Sequence, residues 1–287
     1  MIAEGLAALV AGLSLGAPSA TYGDARGEDP DGPDIATVVV SASSSDLRFR
    51  VSVPNRPVLT DDMRIRIWLD ADDDRDTGLI LEGVKTGLDH FLLVDRWELG
   101  LGKVGLFRCA GSVCSGGAEA AQVSFGYSDG TGTFDVDTSD LGSSRPGRLR
   151  FSVEVLSGVV FDPVARRYVF TDVRRDEAPA SGSFWTFDAR PLAVRAFSAS
   201  PEVARAGSPF TLRLRVLPAD PARPVAVACS LRVGGRLVRP RARGFARGTA
   251  RCTFAVPAGA AGKQFRGVIS VASGSERVTR ARAGTVR

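Results

Sequence analysis

Met63-Arg64-Ile65-Arg66-Ile67-Trp68-Leu69-Asp70-Ala71-Asp72-Asp73-Asp74-Arg75-Asp76-Thr77-Gly78 changes character halfway along. Its first seven residues alternate apolar and polar side chains, the period of two that buries one face of a β-strand. Five carboxylates then crowd into the seven residues 70–76, with Asp70, Asp72, Asp74 and Asp76 at every second position. Like charge at such short range is costly unless water or a cation absorbs it, and acidic oxygens at alternate loop positions are how chains hold Ca²⁺. The stretch therefore reads as a strand running into a calcium loop or, on the plainer account, into a solvated acidic hairpin tip. It is no EF-hand, because Arg75 stands where that loop needs its sixth-position Gly and Leu81 where it needs the bidentate Glu, with Glu82 one place late.

The same alternation recurs along the whole chain. Ile35–Ser41, Leu47–Val53, Phe91–Val94, Val123–Phe125, Phe134–Val136 and Leu149–Val155 read as strands, as do Arg167–Thr171 and Ser183–Phe187. Phe210–Val216, Val225–Val233, Thr249–Val256 and Phe265–Val271 continue the pattern after Pro191. Turn chemistry punctuates it, as in Ser128-Asp129-Gly130-Thr131, and no long stretch keeps a 3.6-residue period. The expected class is all-β, with two consecutive sandwiches whose facing sheets bury the apolar sides.

Charge marks the division between them. Residues 191–287 hold 18 Lys+Arg against 3 Asp+Glu, while residues 1–190 hold 19 against 29, so a +15 region follows a −10 region. Such asymmetry reports separate modules or a charged partner. The expected plan is a signal peptide over 1–20, an acidic sandwich over 21–190 and a basic, immunoglobulin-like sandwich over 191–287. Gly5–Ala17 is an apolar run too short to span a bilayer, followed by Pro18-Ser19-Ala20 as a small-residue cleavage zone. Glu4 stands where a basic leader is usual, which keeps a buried or frayed amino-terminal segment as the rival reading. Export also suits the four cysteines, Cys109, Cys114, Cys229 and Cys252, for which one pair per domain is the most economical of three pairings. A four-thiolate zinc site is the rival reading, and it needs ligands close in space and usually shorter paired spacings. No other stretch is apolar enough for a transmembrane segment.

Within the first domain, Asp31-Gly32-Pro33-Asp34-Ile35, Leu69-Asp70-Ala71-Asp72 running into Thr77-Gly78, Gly87-Leu88-Asp89-His90-Phe91 and Gly182-Ser183-Phe184-Trp185-Thr186-Phe187 occur in an order that resembles the DOMON-like sandwiches, which include the family-nine carbohydrate-binding modules. The resemblance spans roughly residues 29–188. It implies a secreted β-sandwich of jelly-roll type, often calcium-stabilised, that binds sugar or, in some relatives, haem through a Met and a His. By that likeness Asp34 and Asp89 become distant calcium ligands. The second domain looks like an immunoglobulin-like module of bacterial surface proteins.

For sugar, the ring candidates are Trp68, of opposite parity to Ile65, Ile67 and Leu69, and Trp97, set among Asp95, Arg96 and Glu98. The plainer account is that each shields a strand face or sits beneath a loop, and Trp185 groups with Phe187 and Tyr168 as core. For haem the chain offers Met63 and its one histidine, His90, although strand parity places Met63 in the core. A single histidine and no Gly-x-Ser-x-Gly elbow leave no catalytic apparatus, so the chain reads as a non-enzyme. Arg236, Arg239, Arg241, Arg243 and Arg247 cluster around Val238–Gly244, read as a hairpin loop that could hold an anionic polymer such as an acidic glycan, dock on the acidic domain or, most plainly, be solvated surface. No aromatic residues are interleaved there for base stacking, so nucleic acid is not the expected partner. The leading expectation is a secreted carbohydrate-binding protein of the bacterial cell surface. The alternatives are a cell-envelope interaction module without a sugar ligand and a haem-binding domain.

Overall fold

The computed structural model describes residues 18–25, 27, 29–43, 45–81, 84–95, 103–117, 123–142, 147–162, 164–165, 167–180, 182–218, 225–273 and 276–287. The apolar run of the expected signal peptide and Trp97 lie outside them.

The first sandwich opens with β1 (Ser19–Gly23), β2 (Thr37–Ala42) and β3 (Asp46–Ser52), and β4 (Arg64–Asp70) starts its second sheet. A small hairpin, β5 (Ile80–Leu81) and β6 (Val84–Lys85), precedes β7 (His90–Val94), β8 (Val104–Ala110) and β9 (Val113–Gly117). The chain then returns through β10 (Val123–Ser128) and β11 (Thr131–Asp137) before β12 (Arg148–Asp162), β13 (Arg167–Ala178) and β14 (Trp185–Asp188). One sheet runs β1-β2-β3-β11-β10; the other runs β13-β12-β4-β7-β8-β9, with β14 also paired to β12. Alternate residues of both sheets meet in one core, where Phe49 of β3 and Phe151 of β12 pack edge to face at 5.5 Å. Each ring is fully buried, so truncation to Ala would cost about 3–5 kcal/mol. Asp129 and Gly130 both take positive φ, which makes Ser128–Thr131 the tight turn whose twist matches a two-residue hairpin.

Ser19 and Ala20, read above as cleavage zone, belong to β1: they pair with Ser41 and Val40, and Ala20 is buried. The rest of β1 anchors the sandwich through Tyr22, whose hydroxyl donates to the Thr186 carbonyl at 2.7 Å. Trp185 packs against this core beside Tyr22, as expected, but Tyr168 does not join it. Tyr168 lies on the opposite face of the sheet, its hydroxyl 3.0 Å from Asp95 and its ring beneath Arg64.

The second sandwich contains β15 (Ala193–Ser200), β16 (Pro209–Leu217), β17 (Ala226–Val233), β18 (Arg236–Val238), β19 (Pro240–Ala246), β20 (Thr249–Ala255), β21 (Gln264–Ser273) and β22 (Glu276–Thr285). Its sheets are β15-β16-β20-β19 and β18-β17-β21-β22. Val238–Gly244 is therefore not a hairpin loop: β18 ends one sheet, Arg239 crosses, and β19 is an edge strand of the other. Pro240 fits there because a strand's first position at a sheet edge needs no donated hydrogen bond. Both cysteine pairs form as expected. Cys109–Cys114 ties the β8–β9 hairpin, and Cys229–Cys252 joins β17 to β20 across the two sheets. No free cysteine remains, and disulfides of this kind belong to oxidising compartments, as export requires. Among the described residues no helix is long and apolar enough to cross a membrane.

Candidate functional site

Strand parity carries Arg64, Arg66, Trp68 and Asp70 to the face of β4 away from the core, and the register places Asp70 opposite Arg150 of β12. Beyond Asp70 the chain folds by short-range capping of its own backbone. Asp72 accepts from the Asp74 N–H at 2.9 Å and Asp74 from the Asp76 N–H at 2.9 Å, the local bonding that makes aspartate a turn residue. Asp73 takes φ 58° and turns its carboxylate to Arg148, 3.1 Å away. The returning strand brings Asp89 alongside, its carboxylate accepting from the Ala71 N–H at 3.1 Å.

Three carboxylates converge as a result: one oxygen each from Asp70, Asp72 and Asp89 lie within 4.8 Å of one another. Thr77 Oγ1 sits among them, 3.3 Å from either oxygen of Asp72 and 3.2 Å from Asp89 Oδ1. Asp70 is fully buried; Arg150 Nη2 donates to its Oδ2, while its Oδ1 is buried with no hydrogen-bond partner. Burial raises the Asp70 carboxyl to about 6 despite that arginine. Burial and then the Asp72 charge raise Asp89 as well.

The donor set suits a hard divalent cation. Ionised, three carboxylates and one guanidinium sum to −2, and every available donor is oxygen. An orphaned buried carboxylate oxygen is the kind of group that a cation satisfies, since leaving it bare costs on the order of 1–3 kcal/mol. Asp70, Asp72 and Asp89 are the residues that would hold it. Gly87 makes the packing possible: its φ is +73°, and a Cβ there would lie 2.7 Å from Arg150 Nη2, 2.8 Å from Arg75 Cα and 2.9 Å from the Asp74 carbonyl.

Of the four loop aspartates singled out in sequence, the fold gathers the buried Asp70 and the exposed Asp72 and leaves Asp74 and Asp76, also exposed, outside the cluster. Asp89 joins them, whereas Asp34 accepts from Gly27 N–H instead. Arg150 carries no signal in the sequence: between Leu149 and Phe151 on the outward parity of a strand it reads as an ordinary solvated side chain, and only the pairing with β4 sets it against Asp70.

Trp68 faces away from the core as expected, but it is half-buried in a satellite cluster with Leu79, Leu88 and the Cys109–Cys114 bridge. Phe91 lies 5.0 Å from its ring and the Arg66 guanidinium 4.9 Å. A second aromatic pair, Phe125 and Tyr127, occurs on edge strand β10, half-buried against the core like Trp68 against its own cluster. There Pro57, Val58, Leu59, Phe125, Tyr127 and Asp129 line a cleft of about 460 Å³, with the two ring centroids 6.4 Å apart. The sequence shows only the period-two pair Phe125 and Tyr127 beside the Asp129-Gly130 turn, not the cleft.

The two residues offered for haem do not meet. Met63 is buried in the core just before β4, while His90 pairs with Leu69 at the strand's other end, about 20 Å away at 3.3 Å per residue. His90 is itself buried, and desolvation followed by the Arg108 charge lowers it to about 4. In the second sandwich Arg236, Arg239, Arg241, Arg243 and Arg247 are all exposed, strung along the margin where the chain passes between sheets.

No protein-family profile and no curated protein matches the chain. Solved structures that it resembles include the I-band fragment I67-I69 from titin, at 7% identity and TM-score 0.31 over 85% of this chain and 60% of that one. Others are a chimeric titin Z1Z2 functionalized with a KLER exogenous peptide from decorin, at 11% identity and TM-score 0.25 over 85% and 89% of the two chains, and a marsupial T cell receptor, at 12% identity and TM-score 0.21 over 93% and 95%. The chain thus spans 60% of the length of the I-band fragment, and similarity at these scores carries no functional argument.

Proposed function

We propose that this chain is an exported, non-catalytic binding protein of the cell surface, whose first sandwich is stiffened by a calcium ion and takes carbohydrate as its ligand. The observation that carries the reading is the buried, unpartnered Oδ1 of Asp70 beside the carboxylates of Asp72 and Asp89. A cation there would tie the end of β4 to the segment entering β7, fixing one end of the sheet. The resemblance of residues 29–188 to DOMON-like carbohydrate-binding sandwiches points the same way.

The sugar reading moves from Trp68 to the β10 cleft. The parts of Phe125 and Tyr127 that line the cleft, left over from their packing on the core, would meet the C–H faces of a pyranose, and Asp129 offers acceptors for its hydroxyls. A glycan array probed with the full chain in millimolar calcium tests this. Binding to neutral glycans that is lost in Phe125→Ala and weakened in Asp129→Asn, but kept in Trp68→Ala, supports the cleft. Absence of any glycan binding, or equal binding by all three variants, contradicts it.

A further inference from the structure

Each outer face of the second sandwich carries a pair of arginines placed directly opposite one another. Arg213 of β16 pairs in register with Arg251 of β20, and Arg232 of β17 pairs with Arg266 of β21; all four are exposed. Like charges facing each other across a sheet weaken it, and this domain contains few acids to relieve them. Residues 191–287 hold 18 Lys+Arg and only 3 Asp+Glu, and one of the three, Glu202, already pairs with Arg282 at 2.9 Å. Most of the cations therefore have no counter-ion within their own domain.

The β15-β16-β20-β19 sheet concentrates the charge most tightly. Arg215 stands two residues from Arg213 on the same exposed face, so three guanidinium stems leave a patch of sheet roughly 5 Å by 7 Å at the Cα level. The register surrounds them with small side chains: Ser198 and Ala196 of β15 on one side, Thr249 of β20 and Gly244 of β19 on the other. Nothing bulky rises between the arginines, so their planar forks can meet carboxylate or sulfate groups side by side.

We propose that this face binds an anionic polysaccharide, a linear glycan bearing carboxylate or sulfate groups. Closely spaced guanidiniums and flanking hydroxyls from Ser198 and Thr249 fit such a chain. A single-stranded nucleic acid would be expected to find aromatic side chains for its bases, and the rings of β15, β16 and β20, Phe197, Phe210 and Phe254, belong to the core side of the sheet. The oxidising compartment implied by the Cys229–Cys252 bridge also favours a glycan. The inference goes beyond the calcium and cleft reading and does not depend on it, because it concerns the other sandwich.

The test is a titration of the full chain, in chelator, with polygalacturonate and dextran sulfate, against neutral dextran and single-stranded DNA. Binding to either anionic glycan, absent with dextran and falling steeply with salt, is expected. Arg213→Gln/Arg251→Gln should lose at least about tenfold in affinity and flatten the salt dependence by about two counter-ions, as each neutralised contact contributes close to one. Arg277→Gln/Arg280→Gln removes the same charge from β22 and should lose less than about threefold. The inference is overturned if neither anionic glycan binds at low salt, if the two double variants lose affinity equally, or if DNA binds more tightly than both glycans. Because chelator is present throughout, failure here is distinguishable from failure of the calcium site.

Discussion

Arg150 and Asp70 face each other across β12 and β4, the guanidinium donating to one carboxylate oxygen while the other oxygen stays buried and bare. Removing only the arginine would leave a carboxylate stranded in a site with almost no solvent. Arg150→Ala is expected to cost about 3–5 kcal/mol in urea unfolding measured with chelator, the usual penalty for breaking a buried pair from one side. The double replacement Arg150→Met/Asp70→Leu should recover most of that loss, because it removes both charges at once. Equal instability of the single and double variants would show that the pair is not the source.

Gly87 provides a second check on the same geometry. An added methyl would meet Arg150, the Arg75 backbone and the Asp74 carbonyl at 2.7–2.9 Å, in a backbone conformation of φ +73°. Gly87→Ala is expected to cost roughly 1–3 kcal/mol and to blunt any calcium response, since it pushes on the loop and on Arg150 together. A variant as stable and as calcium-responsive as the parent would mean that the loop has another packing.

The two disulfides should contribute unequally. Cys229 and Cys252 are separated by 23 positions and Cys109 and Cys114 by 5. By loop-closure entropy the longer bridge is worth about 3.5 kcal/mol and the shorter about 2 kcal/mol. Paired Cys→Ala replacements, followed by denaturant unfolding of the full chain, should rank them in that order.

Asp62 sets an acid limb. Burial pushes its carboxyl up, but hydrogen bonds from Thr60 Oγ1 at 2.7 Å and the Gly158 N–H at 3.0 Å prevail and hold it below the ordinary carboxylate value. A depressed folded value means that the unfolded chain takes up the proton first, so this stabilisation is present at neutral pH and fades as pH falls through the folded value. Asp62→Ala should be less stable than the parent by about 1–2 kcal/mol at pH 7. The gap should close progressively below about pH 4. A gap unchanged between pH 7 and pH 3 would remove Asp62 from the account.

The alternation of Met63–Leu69 and of Leu149–Val155 made the sandwich legible, because each strand buries one face and the period survives in the sequence. β19 was illegible for the same reason: an edge strand with Arg241, Ala242, Arg243 and Gly244 all exposed has no buried face to write an apolar period. β1 was hidden by its small residues, which read equally well as a cleavage zone. At the site, Asp70 and Asp72 could be found from local crowding alone. Asp89 and Arg150 could not be placed by spacing, since strand pairing rather than the loop brings them there. The β10 cleft is not legible in sequence, because Pro57–Leu59 and Phe125–Tyr127 are far apart along the chain and only the fold brings them to one cleft.

Thermal unfolding of the full chain, stripped of metal and then titrated with calcium at pH 7, tests the central claim most directly. Calcium at a hundredfold excess over its dissociation constant contributes about 2.7 kcal/mol, which for a domain of this size raises the transition by roughly 5–10 °C. The predicted result is that shift, reversed by chelator and absent in Asp70→Asn and Asp89→Asn. A transition unmoved by calcium in the parent chain, or moved equally in both variants, would contradict it.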